Sequence, residues 1–133
     1  MRSNAVVLPL IVALATPLTA AEPERLAPKR FQAKLADLED ENLIDVRTAG
    51  ERQDGIIEAS RRLTVTDDDF EERLAELPRD RPLFLYCFGG TRSGRASEIA
   101  QRLGFETIYD LAGGLSAWKD DGLPTTDPPK NDE

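Results

Sequence analysis

One cysteine, Cys87, ends a continuous apolar stretch that runs from Leu83 to Tyr86. The thiolate rather than the thiol is the nucleophile, so a reactive cysteine needs nearby groups that stabilise negative charge. The residues that follow Cys87, Phe88-Gly89-Gly90-Thr91-Arg92-Ser93, predict a tight turn into a helix. N–H groups of the turn and the positive end of the helix dipole would face the sulfur, and Arg92 adds a permanent cation. This pattern favours nucleophilic chemistry at Cys87; the alternative is an inert thiol buried in the core.

The composition excludes several other kinds of site. The 133 residues contain no histidine, which excludes catalytic pairs and metal sites that use imidazole. A single cysteine excludes an internal disulfide and a thiolate cluster, and we expect no metal and no other cofactor. Seventeen Lys and Arg against 25 Asp and Glu give a formal net charge of −8, which disfavours a general nucleic-acid binder.

The amino terminus has the parts of a secretory signal peptide. Arg2 is followed by an uncharged apolar run from Ala5 to Ala15 and by the small residues Thr19, Ala20 and Ala21. We expect residues 1–21 to be removed after Ala20 or Ala21; an uncleaved anchor and a buried helix are the alternatives. The apolar run is shorter than the roughly 20 residues that span a bilayer. The expected product is exported to a bacterial periplasm, without stable membrane insertion.

Strand and helix patterns alternate along the remaining chain. Strands are expected at 43–46, 83–87 and 105–109, and helices at 31–38, 66–77, 93–103 and 115–121. Residues 22–27 read as a leader, 48–62 as irregular and 127–133 as a flexible tail. The alternation predicts an α/β fold with a central parallel sheet flanked by helices on both faces. Sites in such sheets lie beyond the carboxyl ends of the strands, where Asp45, Arg47 and Cys87 would meet.

The loop from Cys87 to Ser93 resembles the active-site loop of rhodanese-like domains, whose usual pattern is Cys-x-x-Gly-x-Arg-Ser. Three more stretches resemble this family in the same order: Leu43 to Arg47, Gly55-Ile56-Ile57, and Leu111 to Trp118 with Gly122-Leu123-Pro124. The resemblance covers roughly residues 28–126 and is typical of a single-domain member. Departures from the family pattern are Ile56 for His, Glu58 for Pro and Arg52 for an aromatic residue.

The resemblance implies a sulfurtransferase that works through a persulfide on Cys87. Four residues separate Cys87 from Arg92, as in the sulfur-handling members, whereas the related phosphatases and arsenate reductases have five. The implied catalytic residues are Cys87 and Arg92, with Asp45 and Arg47 as supports. Substrate binding would fall to the remaining loop residues, Phe88, Gly89, Gly90, Thr91 and Ser93.

The implied donor is a small sulfur anion, thiosulfate or polysulfide, and the implied acceptor is a thiol or cyanide. A module that carries or senses sulfur, or only docks a partner, remains the alternative; the sequence identifies no partner protein. A phosphatase or arsenate reductase is a less favoured third reading. For Arg92 the structural alternative is a salt bridge to Asp45 or Glu98 that holds the loop closed.

Overall fold

The computed structural model describes residues 3–11, 21–39 and 42–132. Its strands are β1 Glu24–Leu26, β2 Asn42–Asp45, β3 Arg61–Arg62, β4 Leu83–Tyr86 and β5 Ile108–Leu111. Its helices are α1 Pro28–Ala36, α2 Ala49–Arg52, α3 Phe70–Leu74, α4 Thr91–Leu103 and α5 Gly114–Asp120.

The five strands form one parallel sheet in the order β1-β5-β4-β2-β3. The central strand β4 is buried along its whole length, which explains its unbroken apolar sequence. Leu83 and Leu85 pack into one core with residues of α3 and α4, whereas Phe84 and Tyr86 pack into a second core with α1 and α5. Helices therefore cover both faces, and the predicted α/β fold is confirmed.

A short strand begins the domain before the first helix. Glu24–Leu26 pair with Tyr109–Leu111 of β5, so that Arg25 lies beside Asp110. The interpretation of residues 22–27 as a leader missed this strand, because three residues with one apolar side chain show no alternation of period two.

The stretch 48–62, expected to be irregular, holds α2 and β3. Thr48 accepts a hydrogen bond from the backbone N–H of Glu51, and the Glu51 side chain accepts one from the Thr48 backbone N–H. This reciprocal cap stabilises a helix of only one turn. Strand β3 is two residues long and pairs with β2, too short to leave a pattern in the sequence.

The chain that follows α5 returns to the domain. Thr126 pairs with Ile56, and the carboxylate of Asp132 accepts a hydrogen bond from Arg52 Nη2 at 2.7 Å. Arg52 is fully buried and also donates to Ser60. The prediction of a flexible tail at 127–133 did not foresee this contact, which joins residues 80 positions apart; residue 133 lies outside the described residues.

Residues 1–2 and 12–20 of the predicted signal peptide lie outside the described residues. Residues 3–11 have no helix or strand, and the apolar side chains Val6, Val7, Leu8, Leu10 and Ile11 are exposed. Among the described residues, none of the helices has the length and apolar character needed to cross a membrane.

Candidate active site

Cys87 lies at the carboxyl end of the central strand, where the chain leaves the sheet. Its side chain is 1% exposed and contacts the core on the α3 and α4 face. The following residues turn at once into α4, whose first residue is Thr91. The predicted sequence of strand, glycine turn and helix is present, and it places the sulfur at the amino-terminal end of a 13-residue helix.

Two backbone N–H groups of this loop converge on the sulfur. Gly90 N–H donates to Cys87 Sγ at 3.0 Å, and Ser93 N–H donates to it at 3.4 Å. The Ser93 hydroxyl lies 3.5 Å from the sulfur and is fully buried. Fixed donors around a buried sulfur can stabilise negative charge on it or on an atom attached to it.

Gly90 adopts a left-handed conformation with φ 99°. A side chain at this position would be strained, and its Cβ would lie 3.0 Å from Arg25 Nη2 and 3.3 Å from Gly113 N. Arg25 Nη2 also donates to the Gly90 carbonyl at 3.1 Å. Strand β1 therefore holds the Gly90 carbonyl in place through the Arg25 side chain.

The amino-terminal end of α5 holds the other side of the loop. Leu115 N–H donates to the Cys87 carbonyl at 2.8 Å, and Ser116 N–H donates to the Phe88 carbonyl at 3.0 Å. A Cβ at Gly114 would lie 2.4 Å from the Phe88 carbonyl oxygen, closer than real side chains approach. The Gly113-Gly114 pair, interpreted from the sequence as a turn, thus allows close contact with the Cys87 loop.

Arg92 forms a two-point ion pair with Glu51 of α2. Nη1 lies 2.6 Å from Oε1 and Nη2 lies 2.8 Å from Oε2. The structural alternative for Arg92 named the wrong partners, because Asp45 is occupied by two other arginines and the structure pairs Arg92 with Glu51 rather than Glu98. The Arg92 guanidinium lowers the pKa of Glu51 from 4.5 to about 2.

Asp45 and Arg47 lie beneath this ion pair in a buried network. Arg47 Nη2 donates to Asp45 at 2.8 Å and to the Gly55 carbonyl at 2.8 Å, while Nη1 donates to the Glu51 carbonyl at 3.2 Å. Arg52 donates to the same carboxylate at 3.1 Å. These bonds anchor α2 to the end of β2, so Asp45 and Arg47 reach the loop through Glu51 and do not touch the sulfur.

The remaining predicted loop residues face outward. Phe88 is 51% exposed beside the buried sulfur, and Thr91 is exposed at the start of α4. A Cβ at Gly89 would meet nothing within 4 Å, so this edge of the loop is open. Among the residues that the structure describes, no group of three or more carboxylates or thiols is placed to hold a metal ion.

Sequence reasoning missed Arg25, Glu51 and Gly114 as determinants of the loop. The spacing of Thr48 and Glu51 matches a capping box and could have placed α2. No local pattern connects Glu51 to Arg92 or Arg25 to Gly90, because these contacts span 41 and 65 positions.

The Arg92–Glu51 ion pair leads to a testable prediction about the pKa of Glu51 and the pH dependence of stability. Because Arg92 lowers the pKa of Glu51 in the folded protein, the pair stabilises the fold fully above pH 4.5, and this contribution is lost as pH falls through about 2. Carboxyl NMR should therefore give a Glu51 titration midpoint of about 2. The midpoint should move toward 4.5 in Arg92→Gln and stay low in the control Arg95→Gln; an ordinary midpoint in the unmodified protein would contradict the pairing.

Comparison with known proteins gives a consistent family assignment. Residues 27–121 match the family described as Rhodanese-like domain. The chain is 36% identical over 95 residues to a sulfurtransferase of Allochromatium vinosum, covering 71% of this chain and 87% of that protein.

Two solved structures share the fold. A rhodanese-related protein of Thermoplasma volcanium has a TM-score of 0.68 at 23% identity, covering 77% of this chain and 97% of its own. The solution structure of a 30 kDa polysulfide-sulfur transferase homodimer of Wolinella succinogenes has a TM-score of 0.67 at 28% identity, covering 86% of each chain. The family match over most of the chain shows that it belongs to the rhodanese-like domain family, and its relatives include a sulfurtransferase.

Proposed function

We propose that this protein transfers sulfane sulfur from a small anionic donor to a thiol or cyanide through a persulfide on Cys87. The observation that carries the proposal is the convergence of the Gly90 and Ser93 amides on the Cys87 sulfur. The amino-terminal end of α4 points at the same atom. Donors fixed in this way stabilise an anionic sulfur without reorganising during the reaction.

The first half of the reaction loads the cysteine. The Cys87 thiolate attacks the outer sulfur of thiosulfate, the sulfur–sulfur bond of the donor breaks, and sulfite leaves with the bonding electron pair. With a polysulfide donor, a polysulfide shortened by one sulfur leaves instead. The new sulfur extends about 2 Å beyond Sγ. The loop amides then stabilise its negative charge.

The second half regenerates the enzyme. An acceptor thiolate or cyanide attacks the outer sulfur, the persulfide bond breaks, and the Cys87 thiolate leaves. Because the donor product departs before the acceptor reacts, the cycle is ping-pong. Arg92 shapes the loop through Glu51, and this pairing reduces the positive charge it presents to an incoming anion.

The relatives support sulfur chemistry over phosphate chemistry. The Allochromatium relative is a sulfurtransferase, and the Wolinella structure is of a polysulfide-sulfur transferase. Four residues lie between Cys87 and Arg92, which by the resemblance is the spacing of the sulfur-handling members of the family. These observations favour polysulfide or thiosulfate as the donor class.

Replacement of the nucleophile tests this mechanism. After incubation with thiosulfate or polysulfide, the intact protein should gain the mass of one sulfur atom and should pass that sulfur to cyanide. Cys87→Ser should gain no sulfur and lose at least about 1,000-fold in transfer rate, because the covalent route is removed. Circular dichroism should show an unchanged fold.

A relocated thiol provides the control. The double variant Cys87→Ser with Glu72→Cys carries an exposed thiol on α3, outside the loop. It should remain inactive, because an exposed cysteine has no converging amides. Substantial transfer by folded Cys87→Ser, or by the relocated thiol, would refute the mechanism.

We further propose that the protein acts outside the cytoplasm, in a bacterial periplasm, after removal of residues 1–21. The basic start, apolar run and small residues before Glu22 support this proposal. Amino-terminal sequencing of the protein from fractionated cells should begin at Ala21 or Glu22 in the periplasmic fraction. An intact Met1 on a cytoplasmic protein would contradict export.

A further inference from the structure

Arg52 departs from the family pattern, which usually has an aromatic residue at this position. Its side chain is fully buried at the end of α2, and every N–H of the guanidinium has an acceptor. Nη1 donates to Asp45 and to the Ser60 hydroxyl, both at 3.1 Å, and Nη2 donates to the Ser60 carbonyl at 3.0 Å. The other donors, Nε and the second N–H of Nη2, bind the two carboxylate oxygens of Asp132. The buried arginine therefore depends on a residue 80 positions later in the chain.

The ion pairs of Asp45 leave one buried positive charge, which Asp132 balances. Arg47 and Arg52 are both buried, and both bind the one carboxylate of Asp45. Asp132, with a side chain that is only 10% exposed, supplies the second anion. The hydrogen bonds from Arg52 lower the pKa of Asp132, so its carboxylate is ionised at neutral pH. A neutral side chain at this position would leave a guanidinium charge uncompensated in a site removed from water, which is costly.

The chain after α5 forms a returning segment, residues 123–132, that carries Asp132 to this site. Thr126 and Ile56 exchange two backbone hydrogen bonds, of 2.8 and 2.9 Å. Residues 127–131 are mostly exposed, and a cavity of about 290 Å³ lies between them and strand β3. The Asp132 carboxylate, rather than close packing, therefore holds this part of the segment against the domain.

The four-residue helix α2 connects the returning segment with the cysteine loop. Its last residue, Arg52, binds Asp132, and the preceding residue, Glu51, binds Arg92 through contacts of 2.6 and 2.8 Å. Arg92 lies in the first turn of α4, directly before Ser93. The Ser93 N–H donates to the cysteine sulfur at 3.4 Å. Two ion pairs and two pairs of neighbouring residues thus join Asp132 to the sulfur.

We propose that Asp132 and Arg52 are positioning residues for sulfur transfer. Their ion pair fixes α2, and α2 fixes Arg92 and the Ser93 amide against the Cys87 sulfur. Because a hydrogen bond weakens steeply as its angle and distance depart from the optimum, a displaced amide stabilises an anionic sulfur less. Both residues act through α2 and not by contact with the sulfur. The effect on transfer rests on the proposed function, whereas the path of contacts does not.

The first test measures sulfur transfer from thiosulfate to cyanide in variants that circular dichroism shows to be folded at the assay temperature. Asp132→Asn keeps the shape of the side chain and removes its charge, and it should lower kcat/KM about tenfold, a typical coupling within one hydrogen-bond network. Asp127→Asn removes the same charge from an exposed position of the returning segment and should leave kcat/KM unchanged. If Asp132→Asn does not fold, Asp132→Glu, which keeps the charge and moves the carboxylate, takes its place with the same expected direction.

A second background separates positioning from a general loss of stability. Arg52→Phe places the residue type usual in the family at the buried position and leaves Arg47 and Asp45 as a balanced pair. In this background Asp132→Asn should change kcat/KM by less than about twofold, because the link from Asp132 to α2 is already absent. Equal losses in both backgrounds would overturn the proposal.

Nuclear magnetic resonance at neutral pH tests the path of contacts without any substrate. In nitrogen-15-labelled protein, Asp132→Asn should shift the signals of Arg92 Nε and the Ser93 amide, whereas the signal of Gly104 at the far end of α4 should not move. Asp127→Asn should shift none of these signals. Unchanged Arg92 and Ser93 signals, or shifted signals with undiminished transfer, would also reject the assignment. If the unmodified protein passes no sulfur to cyanide, the proposed function fails instead, and the signals still decide whether Asp132 positions the loop.

Discussion

The account depends on the placement of two amides, those of Gly90 and Ser93, against the sulfur of Cys87. A backbone donor is fixed only when the chain around it is fixed, and three contacts meet this requirement. Arg25 binds the Gly90 carbonyl, α5 binds the Cys87 and Phe88 carbonyls, and Glu51 binds Arg92. The loop is therefore held from a strand, a helix terminus and a capped turn that lie far apart in the sequence.

The buried ion pairs of Asp45 with Arg47 and Arg52 fix the geometry of the site more than they add to the free energy of folding. Asp45, Arg47 and Arg52 are fully or almost fully buried, and burial of three charges carries a desolvation cost that their attraction must offset. The network holds the end of β2, the helix α2 and the returning tail at Asp132. Through α2 it sets the position of Glu51, which in turn holds Arg92. Removal of Asp45 would leave the buried Arg47 without its carboxylate partner, so it should cost more free energy of folding than the loss of a surface ion pair.

Local sequence patterns were sufficient to predict the strand, the turn and the helix around Cys87. The apolar run of β4, the glycines after Cys87 and the helix that ends at Gly104 each leave a signal within a few residues. The supports of the loop were beyond such reasoning, because Arg25, Glu51 and Gly114 reach it only through contacts between distant parts of the chain. Strands β1 and β3 have three and two residues, lengths at which pairing with neighbours determines the structure and hydrophobic alternation is absent.

The central claim is that the loop from Cys87 to Ser93, which carries the Gly90 and Ser93 amides, forms a ring sized for one extra sulfur atom, and a one-residue insertion tests it directly. A glycine inserted between Gly90 and Thr91 widens the ring while Cys87 and Arg92 remain. Sulfur transfer and alkylation of Cys87 by a neutral reagent should be measured in the same samples, since alkylation reports the thiolate and its exposure without needing a ring sized for a second sulfur. We expect transfer to fall by a much larger factor than alkylation. Undiminished transfer, or equal losses in both reactions, would contradict the claim that the ring selects sulfur chemistry.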